Sequence, residues 1–309
     1  ALSEMKLNSL EVGPDGRNRC MLSPFASKTG RNQPSNSKFI FGASSWLRGL
    51  IKPKKGQALA YVDWSQQEFG IAAYLSGDIK MQEAYLSGDP YLAFAKQAGA
   101  VPTDATKESH GTIRNQYKTC ILGVQYGIGA AGLGVRLGLD ECWGNHLLKM
   151  HKRTFQAFWE WSDRVEAWGM LRGELVSPFG WRCSFHEKPN PRSIRNWPMQ
   201  SAGAEMMRLA AIYATEAGLK VCCPVHDAFL LEADLNDIEE SVSRMQQAMR
   251  KASEVTLPGF PLRSDAHVVR FPERFGNGQP MWNRVQGLLE RVPWGGSMVK
   301  RQQPDTIGV

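Results

Sequence analysis

The 309-residue sequence lacks the features that mark several common classes of protein. Its six cysteines are scattered and form no Cys-x-x-Cys pair, which fits reduced thiols better than a zinc site or a disulfide framework. No run approaches the ~20 apolar residues of a membrane span. The N-terminus has no basic-then-apolar signal pattern. We therefore expect a globular protein of a reducing, cytoplasmic compartment, with no membrane partner.

Acidic residues are in the minority, so the chain carries an excess of positive charge. Lysine and arginine number 37 against 30 aspartates and glutamates, which gives a net charge of +7. This excess fits a polyanion partner, because basic side chains that neutralise phosphates release counterions. Many basic proteins have no nucleic-acid role, so charge alone does not decide the partner. The hydrophobic fraction of 42% is enough for a substantial core.

The order of the predicted elements indicates an α+β fold. A strand is expected over 58–63, followed by an amphipathic helix ending near 77, and residues 79–176 have largely helical spacing. A turn-rich segment over 176–193 precedes a helix over 198–218, a strand pair around His226 and Asp227, and a helix over 234–255. The last ~40 residues contain turn-forming proline and glycine throughout. Strands and helices do not alternate regularly, which argues against repeated βαβ units.

Two carboxylates stand at the ends of apolar runs that read as strands. Asp63 ends a predicted strand in YVDWSQQEFG, and Asp227 lies in the hairpin CCPVHDAFLLEAD. If the two strands pair in one sheet, the carboxylates converge and offer the hard oxygen ligands that Mg²⁺ prefers. Two ions held in this way can activate a hydroxyl and stabilise a leaving pyrophosphate. The alternative, which spacing alone favours, is that each carboxylate caps a turn or pairs with an arginine.

A third stretch, RNQYKTCILGVQYG, carries functional side chains at helical spacing. Arg114, Lys118, Leu122 and Tyr126 recur every four residues, which places them along one helix face. Two cations one turn apart suit a triphosphate, while the apolar and aromatic residues can pack against a base. The alternative is an ordinary amphipathic helix with a solvated basic edge.

Together the three stretches resemble motifs A, B and C of the family A DNA polymerases, the bacterial DNA polymerase I group and its phage relatives. Motif A runs Asp-Tyr-Ser-Gln-x-Glu, and DWSQQEFGIAAYLSGD is similar to it. Motif B runs Arg-x3-Lys-x3-Phe-Gly-x2-Tyr-Gly, and RNQYKTCILGVQYG departs from it at one position. Motif C is His-Asp-Glu in an apolar hairpin, and VHDA matches in part. SKTGRNQPS and RSIRNWPMQSAGAEMM resemble two further elements in the correct order, so the resemblance spans about residues 15–275.

The resemblance implies a right-hand polymerase fold, with an antiparallel palm sheet and an inserted helical fingers subdomain. Residues 1–78 would form the first part of the palm with motif A, and residues 79–190 the mainly helical fingers with motif B. Residues 191–309 would form the second part of the palm with motif C and a C-terminal segment. Only about 15 residues precede the first matching element. We therefore expect no full thumb and no exonuclease domain here, and a separate or missing segment would supply them.

The resemblance also implies a catalytic centre with two Mg²⁺ ions, for which Mn²⁺ can substitute. Asp63 and Asp227 correspond to its carboxylate ligands, and the carbonyl oxygen of Trp64 to a further ligand. Lys118 corresponds to a residue that grips the triphosphate and protonates the leaving pyrophosphate. Catalysis of this kind rests on positioning and on neutralisation of developing charge.

Further positions of the motifs imply contacts with nucleotide and DNA. Glu68 corresponds to a steric gate that leaves no room for a 2′-OH, and the related single-subunit RNA polymerases lack this glutamate. Polar side chains along the primer–template can check minor-groove acceptors, which are similar for all correct base pairs. The residues expected to bind the dNTP are Arg114, Lys118, Leu122, Tyr126, Glu68, Gln66 and Tyr91. The residues expected to bind DNA are Arg31, Arg192, Asn196, Gln200 and His226.

Four positions depart from the family pattern. Leu122 replaces an aromatic residue of motif B, so stacking and sugar discrimination there are expected to differ. Ala228 replaces the glutamate of motif C, which is the less critical of the family's carboxylates. Gly70 stands where the family commonly has arginine. Tyr91 stands where bacterial members have a histidine that contacts a phosphate.

These residues predict a DNA-templated DNA polymerase core that adds dNTPs to a primer 3′-OH by two-metal nucleotidyl transfer. The expected setting is the cytoplasm of a bacterial or phage-infected cell, with primer–template DNA and dNTPs as partners. One alternative is a primer–template-binding remnant with impaired catalysis, which Ala228 favours. A second is a polymerase that copies an RNA template, which nothing in the sequence excludes.

Overall fold

The computed structural model describes residues 9–35, 37–185 and 189–291. The strands in these ranges are β1 (Leu22–Ser23), β2 (Gln33–Pro34), β3 (Gln57–Trp64), β4 (Glu174–Val176), β5 (Arg182–Ser184), β6 (Val221–Val225), β7 (Ala228–Asp234) and β8 (Ser264–Arg270). The α-helices are α1 (Gln67–Ser76), α2 (Ile79–Leu86), α3 (Pro90–Gln97), α4 (Gly111–Gln125), α5 (Ala130–Leu137), α6 (Glu141–Thr154), α7 (Gln156–Arg172), α8 (Pro191–Glu216), α9 (Ile238–Thr256) and α10 (Gln279–Arg291). Two 3-10 helices, Ile40–Gly42 and Ser45–Leu50, precede β3.

A four-stranded antiparallel sheet forms the centre of the fold, in the order β6-β7-β3-β8. Successive side chains of a strand point to opposite faces, so one strand contributes to two cores. Ala60 and Val62 of β3 join the larger core with helices α8 and α9, whereas Leu59 packs with Phe39 and Phe41 of the N-terminal segment. Both faces of β3 are therefore covered, which explains why its sequence is almost continuously apolar.

The helices α1 to α7 lie between β3 and α8 in the chain and pack mainly on one another. Helix α4 packs against α3, α5 and α6, and α7 packs against α1 and α8. Gly144 allows the close approach of α5 and α6, because a Cβ there would lie 2.1 Å from the carbonyl oxygen of Ala130. The α+β prediction, with an antiparallel sheet and a helical insertion, is confirmed.

Three segments differ from the predicted elements. Helix α8 begins at Pro191 rather than at Pro198, because Asn190 caps its first turn by accepting from the Arg192 N–H at 3.0 Å. The expected turn-rich segment over 176–193 also contains strand β5, which pairs with β4 in a hairpin. Near the C-terminus, where turns alone were expected, α10 forms and packs through Trp282 against Gly49 and Trp46.

In the described part of the chain, no helix combines the length and apolar character needed to cross a membrane.

Candidate active site

The end of the central sheet brings the two predicted carboxylates together. Asp63 stands directly opposite Ala228 in the β3–β7 register, and the backbone N–H of Trp64 donates to the carbonyl oxygen of Asp227 at 3.2 Å. His226 and Asp227 form the two-residue turn between β6 and β7, since Val225 pairs with Ala228. The hairpin therefore delivers Asp227 beside the last residues of β3.

A third carboxylate lies on the other side of Asp63. Asp265 is the direct partner of Asp63 in the β3–β8 register, and it accepts a hydrogen bond from the Ser65 hydroxyl at 2.5 Å. Ala228, Asp63 and Asp265 thus form one row across three strands. Side chains that stand directly opposite each other in antiparallel strands share a face of the sheet. The family's motif C carboxylate is absent at Ala228, while another carboxylate is present at the far end of the same row.

The electrostatics of this row favour a cation. Burial, and next the neighbouring charges of Asp227 and Asp265, raise the pKa of Asp63 to about 6. Burial also raises the pKa of Asp227. Among the described residues, neither Asp63 nor Asp227 lies within ion-pair distance of a basic side chain. Adjacent, partly desolvated carboxylates without a protein cation suit a hard divalent ion. In the described residues, however, no three acidic, histidine or cysteine side chains lie close enough to hold an ion by themselves.

The four-residue pattern of motif B is an exposed face of α4. Lys118 and Leu122 are exposed, while Tyr117 and Ile121 on the other side are buried in the core. Tyr126 ends the helix and is 52% exposed. From Lys118 to Tyr126 this face is therefore exposed, whereas the Arg114 side chain at its start is only 15% exposed.

The two cations of this face already have partners within the protein. The Arg114 Nε donates to Asp89 Oδ2 at 2.5 Å, and its guanidinium lies 5.2 Å from the centroid of the Tyr91 ring. The Lys118 ammonium lies 5.5 Å from the same centroid. Tyr91 is buried, and burial raises its pKa. Where the motif resemblance implies a phosphate-contacting histidine in bacterial members, this chain therefore places an aromatic ring that both cations flank.

Glu68 connects elements from both halves of the chain. Its Oε1 accepts from the Tyr126 hydroxyl at 2.7 Å and from the Gln200 Nε2 at 2.5 Å, and Arg31 Nη2 lies 3.5 Å away. Burial and the bond to Glu68 raise the pKa of Tyr126 to about 12. Gln66, which precedes α1, has a left-handed backbone (φ 50°) and a buried side-chain carbonyl with no hydrogen-bond partner in the described residues.

The predicted DNA-binding residues of α8 recur every four residues, and the last of them, Gln200, contacts Glu68. The Arg192 side chain packs against Gly127, where a Cβ would lie 2.7 Å from the Arg192 Cγ. The Asn196 Oδ1 is buried without a hydrogen-bond partner among the described residues. Gln200 reaches Glu68. His226 has a left-handed backbone (φ 55°) in the turn that carries Asp227.

The model of DNA polymerase family A matches residues 40–270, well over half of the chain. The chain belongs to DNA polymerase family A. Its curated relatives include the thermostable DNA polymerase I of Thermus caldophilus, 27% identical over 69% of this chain and 27% of the relative. Another is DNA polymerase I of Aquifex aeolicus (strain VF5), 27% identical over 71% of this chain and 40% of the relative. The chain thus spans about a quarter to two-fifths of the length of these relatives.

A solved structure has the same fold as this family A chain. It is described as the POL domain of Pol1 from M. smegmatis in complex with DNA primer-template and dNTP. The TM-score is 0.72 at 23% sequence identity, over 87% of this chain and 50% of that one. The likeness shows that the polymerase fold expected from the motifs is present.

Two acidic residues of the site are not part of the sequence motifs. Asp265 has no local signal, because its strand, β8, follows a helix and pairs with Asp63, which is 202 residues earlier in the sequence. Asp89 was missed because its visible role is local: it caps α3 by accepting from the Leu92 N–H at 3.2 Å. Its bond to Arg114 joins two helices and has no short-range signal.

Proposed function

We propose that this chain is the catalytic core of a DNA-templated DNA polymerase that adds dNTPs to a primer 3′-OH. The observation that carries the proposal is the strand register, which sets Asp227 beside Asp63 at the end of the sheet. Membership of family A supports it, as do relatives named DNA polymerase I. The similar solved structure, whose complex holds primer-template and dNTP, supports the same partners.

Asp63 and Asp227 are the carboxylates that would hold the two Mg²⁺ ions, or Mn²⁺ in their place, together with the carbonyl oxygen of Trp64. When bound, such ions lower the pKa of the primer hydroxyl and stabilise charge on the phosphoryl oxygens. The raised pKa of Asp63, caused by burial and by neighbouring carboxylates, is the feature of this chain that supports the assignment. The role of the sheet is to keep both carboxylates fixed, so that little reorganisation is needed on binding.

The triphosphate would bind along the exposed face of α4. Arg114 and Lys118, one turn apart, supply two positive charges to it. The Lys118 Nζ carries the proton that the leaving pyrophosphate accepts. Arg114 has to exchange its bond to Asp89 for a phosphate oxygen, and the Tyr91 ring supports both cations during that exchange.

Sugar and base would be selected around Glu68. Its carboxylate, held by Tyr126 and Gln200, occupies the space that a 2′-OH would need and thereby excludes ribonucleotides. Leu122 and Gln66 line the approach to the base and sugar. With leucine in place of an aromatic ring, the incoming base gains less stacking energy at this position.

The primer–template would be held by residues of the palm and of α8. Arg31 and His226 serve the primer terminus, next to Asp227, where the nearby Arg31 charge opposes in part the rise in pKa that burial causes. Asn196 and Arg192 lie one and two turns before Gln200 on α8, and the Arg192 side chain packs against Gly127, next to Tyr126. Their polar groups suit minor-groove acceptors, which correct base pairs share.

Primer extension tests the proposal. The chain is incubated with Mg²⁺, dNTPs and a labelled primer on a DNA template, beside Asp227→Asn and, as a matched control, Asp237→Asn at the start of α9. We expect extension by the wild type and by the control, and a loss of at least ~10³-fold in rate for Asp227→Asn. A folded wild type that adds no dNTP would overturn the proposal, and if it still binds primer–template, the binding-remnant alternative gains support.

Two changes of substrate test which nucleotide and which template the chain uses. Replacing dNTPs by rNTPs should abolish extension in the wild type and restore part of it in Glu68→Ala. Replacing the DNA template by RNA of the same sequence tests the second alternative directly. Equal rates on both templates would show that the chain also copies RNA.

A further inference from the structure

The segment that carries Arg31 is held by an unusual set of contacts. Two tryptophans from different elements donate to one backbone oxygen: the Trp197 Nε1 lies 2.8 Å and the Trp181 Nε1 3.2 Å from the carbonyl oxygen of Lys28. A carbonyl oxygen has two lone pairs, so it can accept both bonds at once. Trp197 belongs to α8 and Trp181 directly precedes β5, and the loop is therefore tied to both.

Further contacts fix the same segment on each side of Lys28. The Arg208 Nη1 of α8 donates to the Gly30 carbonyl oxygen at 2.5 Å, and its guanidinium lies 4.4 Å from the Phe25 ring centroid. The Phe25 and Trp181 rings pack with centroids 5.2 Å apart. Gly30 has a φ of +73°, a left-handed conformation that favours glycine. Residues 25–30 thus have little freedom to change their path.

The same segment ends in Arg31, which the proposed function places at the primer terminus. Inside the loop, the Ser27 hydroxyl accepts from the Arg31 N–H at 2.8 Å and lies 3.2 Å from the Arg31 carbonyl oxygen. At its far end, the Arg31 guanidinium lies 3.5 Å from Glu68. A long side chain can reach a fixed target with low entropy cost only if its backbone is also fixed.

We propose that Trp181, Trp197 and Arg208 form a dock for residues 25–31, and that this dock positions the Arg31 guanidinium against the minor groove of the primer-terminal base pair. They are positioning residues that act through Arg31 and need not touch DNA. The inference rests on the proposed function, since it takes primer-terminal DNA as the target of Arg31. It predicts that removing two indole N–H groups changes how Arg31 reads a base edge, although Trp181 and Trp197 follow Arg31 by 150 and 166 residues in the sequence.

The variants remove the hydrogen bonds and keep the rings. In Trp181→Phe/Trp197→Phe, the Lys28 carbonyl loses both donors while aromatic packing is largely retained. Arg31→Ala serves as the reference for a lost guanidinium. Trp143→Phe, on an exposed part of α6, is the matched control for a change from tryptophan to phenylalanine.

The first readout is amide hydrogen exchange of the whole chain without DNA. We expect exchange in residues 27–31 to rise at least ~10-fold in the double variant, because local opening becomes easier, with α8 and the Trp143→Phe protein unchanged. Unchanged protection of residues 27–31 overturns the dock. Because this readout needs no catalysis, it distinguishes failure of the dock from failure of the proposed function, which would appear as an inactive wild type.

The second readout is primer extension from a primer that ends in guanine or in 3-deazaguanine, which lacks the minor-groove acceptor N3. We expect the deaza base to lower kcat/KM roughly 10-fold for the wild type and for Trp143→Phe, the size of a lost hydrogen bond to a charged donor. For Arg31→Ala and for the double tryptophan variant, the kcat/KM values measured with the two primers should differ by no more than about 2-fold. A double variant as sensitive as the wild type overturns the positioning role, and so does an Arg31→Ala protein that keeps full sensitivity.

Discussion

The palm edge and the exposed face of α4 treat charge in opposite ways. At the palm edge, Asp63 and Asp265 stand opposite each other with Asp227 nearby, and burial and repulsion raise the pKa of Asp63. On α4, Arg114 is already bonded to Asp89. The palm edge therefore holds like charges close together without a basic side chain at ion-pair distance among the described residues. The Arg114 charge of the fingers is already paired with a carboxylate. Under the proposed function, a metal ion would relieve the repulsion at the palm edge, whereas a triphosphate would have to displace Asp89 from Arg114.

The same contrast extends to the pH dependence of stability. The pKa of Asp63 is raised to about 6, so its ionisation costs stability as pH rises from about 4 to 6, and the cost is full above that. In the fingers, burial lowers the pKa of His151 to about 3. Its neutral form is the stable one, so acid destabilises this region. The two halves are thus expected to respond to pH with opposite signs.

The largest expected effect comes from removing one palm charge. Asp227→Asn should lower the rate of nucleotide addition at least ~10³-fold, or about 4 kcal/mol in activation free energy. It should also stabilise the fold at pH 8 by about 1 kcal/mol, after allowance for solvent screening, because Asp63 loses a repulsive neighbour. Extension assays and thermal unfolding of the same preparation measure both. A variant that loses stability together with activity would show that Asp227 is structural.

The second effect tests whether the palm edge has room for a further carboxylate. Ala228 is fully buried and faces Asp63, so Ala228→Glu should destabilise the protein by about 3 kcal/mol. Ala228→Gln, of similar volume and without the charge, should cost less, and the difference measures the repulsion. Unfolding with and without Mg²⁺ should recover stability for the glutamate variant more than for the glutamine variant. A glutamate variant as stable as the glutamine variant, and more active than the wild type, would show that the edge accepts a third ligand there.

The contrast also explains what the sequence could predict. Asp63 and Asp227 follow apolar runs, and Arg114 and Lys118 repeat at helical spacing, but these local patterns left ordinary structural roles open. The motif resemblance selected the four residues. The residues that contact them are determined by strand register and helix packing, which depend on residues far away in the chain. Asp265 was therefore missed, although it stands directly opposite Asp63.

The same limit applies to the helices and to the loop before β3. The start of α8 was placed seven residues late, because a proline inside a helix usually marks its first turn, whereas here Pro198 is interior and Asn190 provides the cap. The two indoles on Lys28 come from a hairpin and a helix more than 150 residues downstream. No local pattern links them to Arg31.

The third prediction isolates the acid sensitivity of the fingers. His151 is buried among aromatic rings, and its Nδ1 accepts from the Trp159 Nε1 at 3.0 Å, a bond that the protonated ring cannot accept. Between pH 7 and pH 5 this residue should cost the wild type about 2 kcal/mol of unfolding free energy. Urea unfolding at both pH values should show that the wild type loses about 2 kcal/mol more than His151→Gln between pH 7 and pH 5.

Exposed His146 provides the control on the same helix. His146→Gln should keep the acid sensitivity of the wild type, and subtracting the two variants removes the opposing contribution of the palm carboxylates. If His151→Gln loses as much stability at pH 5 as the wild type, His151 is not the cause of the acid sensitivity. The expected difference in pH response between fingers and palm would then be wrong for the fingers.

The smallest expected effect tests whether the ion pair with Asp89 competes with the binding of dNTP by Arg114. Asp89→Asn keeps the cap of α3, because asparagine caps as well as aspartate, but it weakens the bond to the Arg114 guanidinium. Stability should fall by less than about 1 kcal/mol, as for other partly exposed ion pairs. The KM for dNTP should fall about 3-fold, since the guanidinium gives up less on binding, and the gain should shrink at high salt. Asp104→Asn, in an exposed loop, should leave KM unchanged. A rise in KM for Asp89→Asn would mean that the carboxylate orients Arg114 toward the triphosphate, and the fingers would then be prepared for the ligand as the palm is.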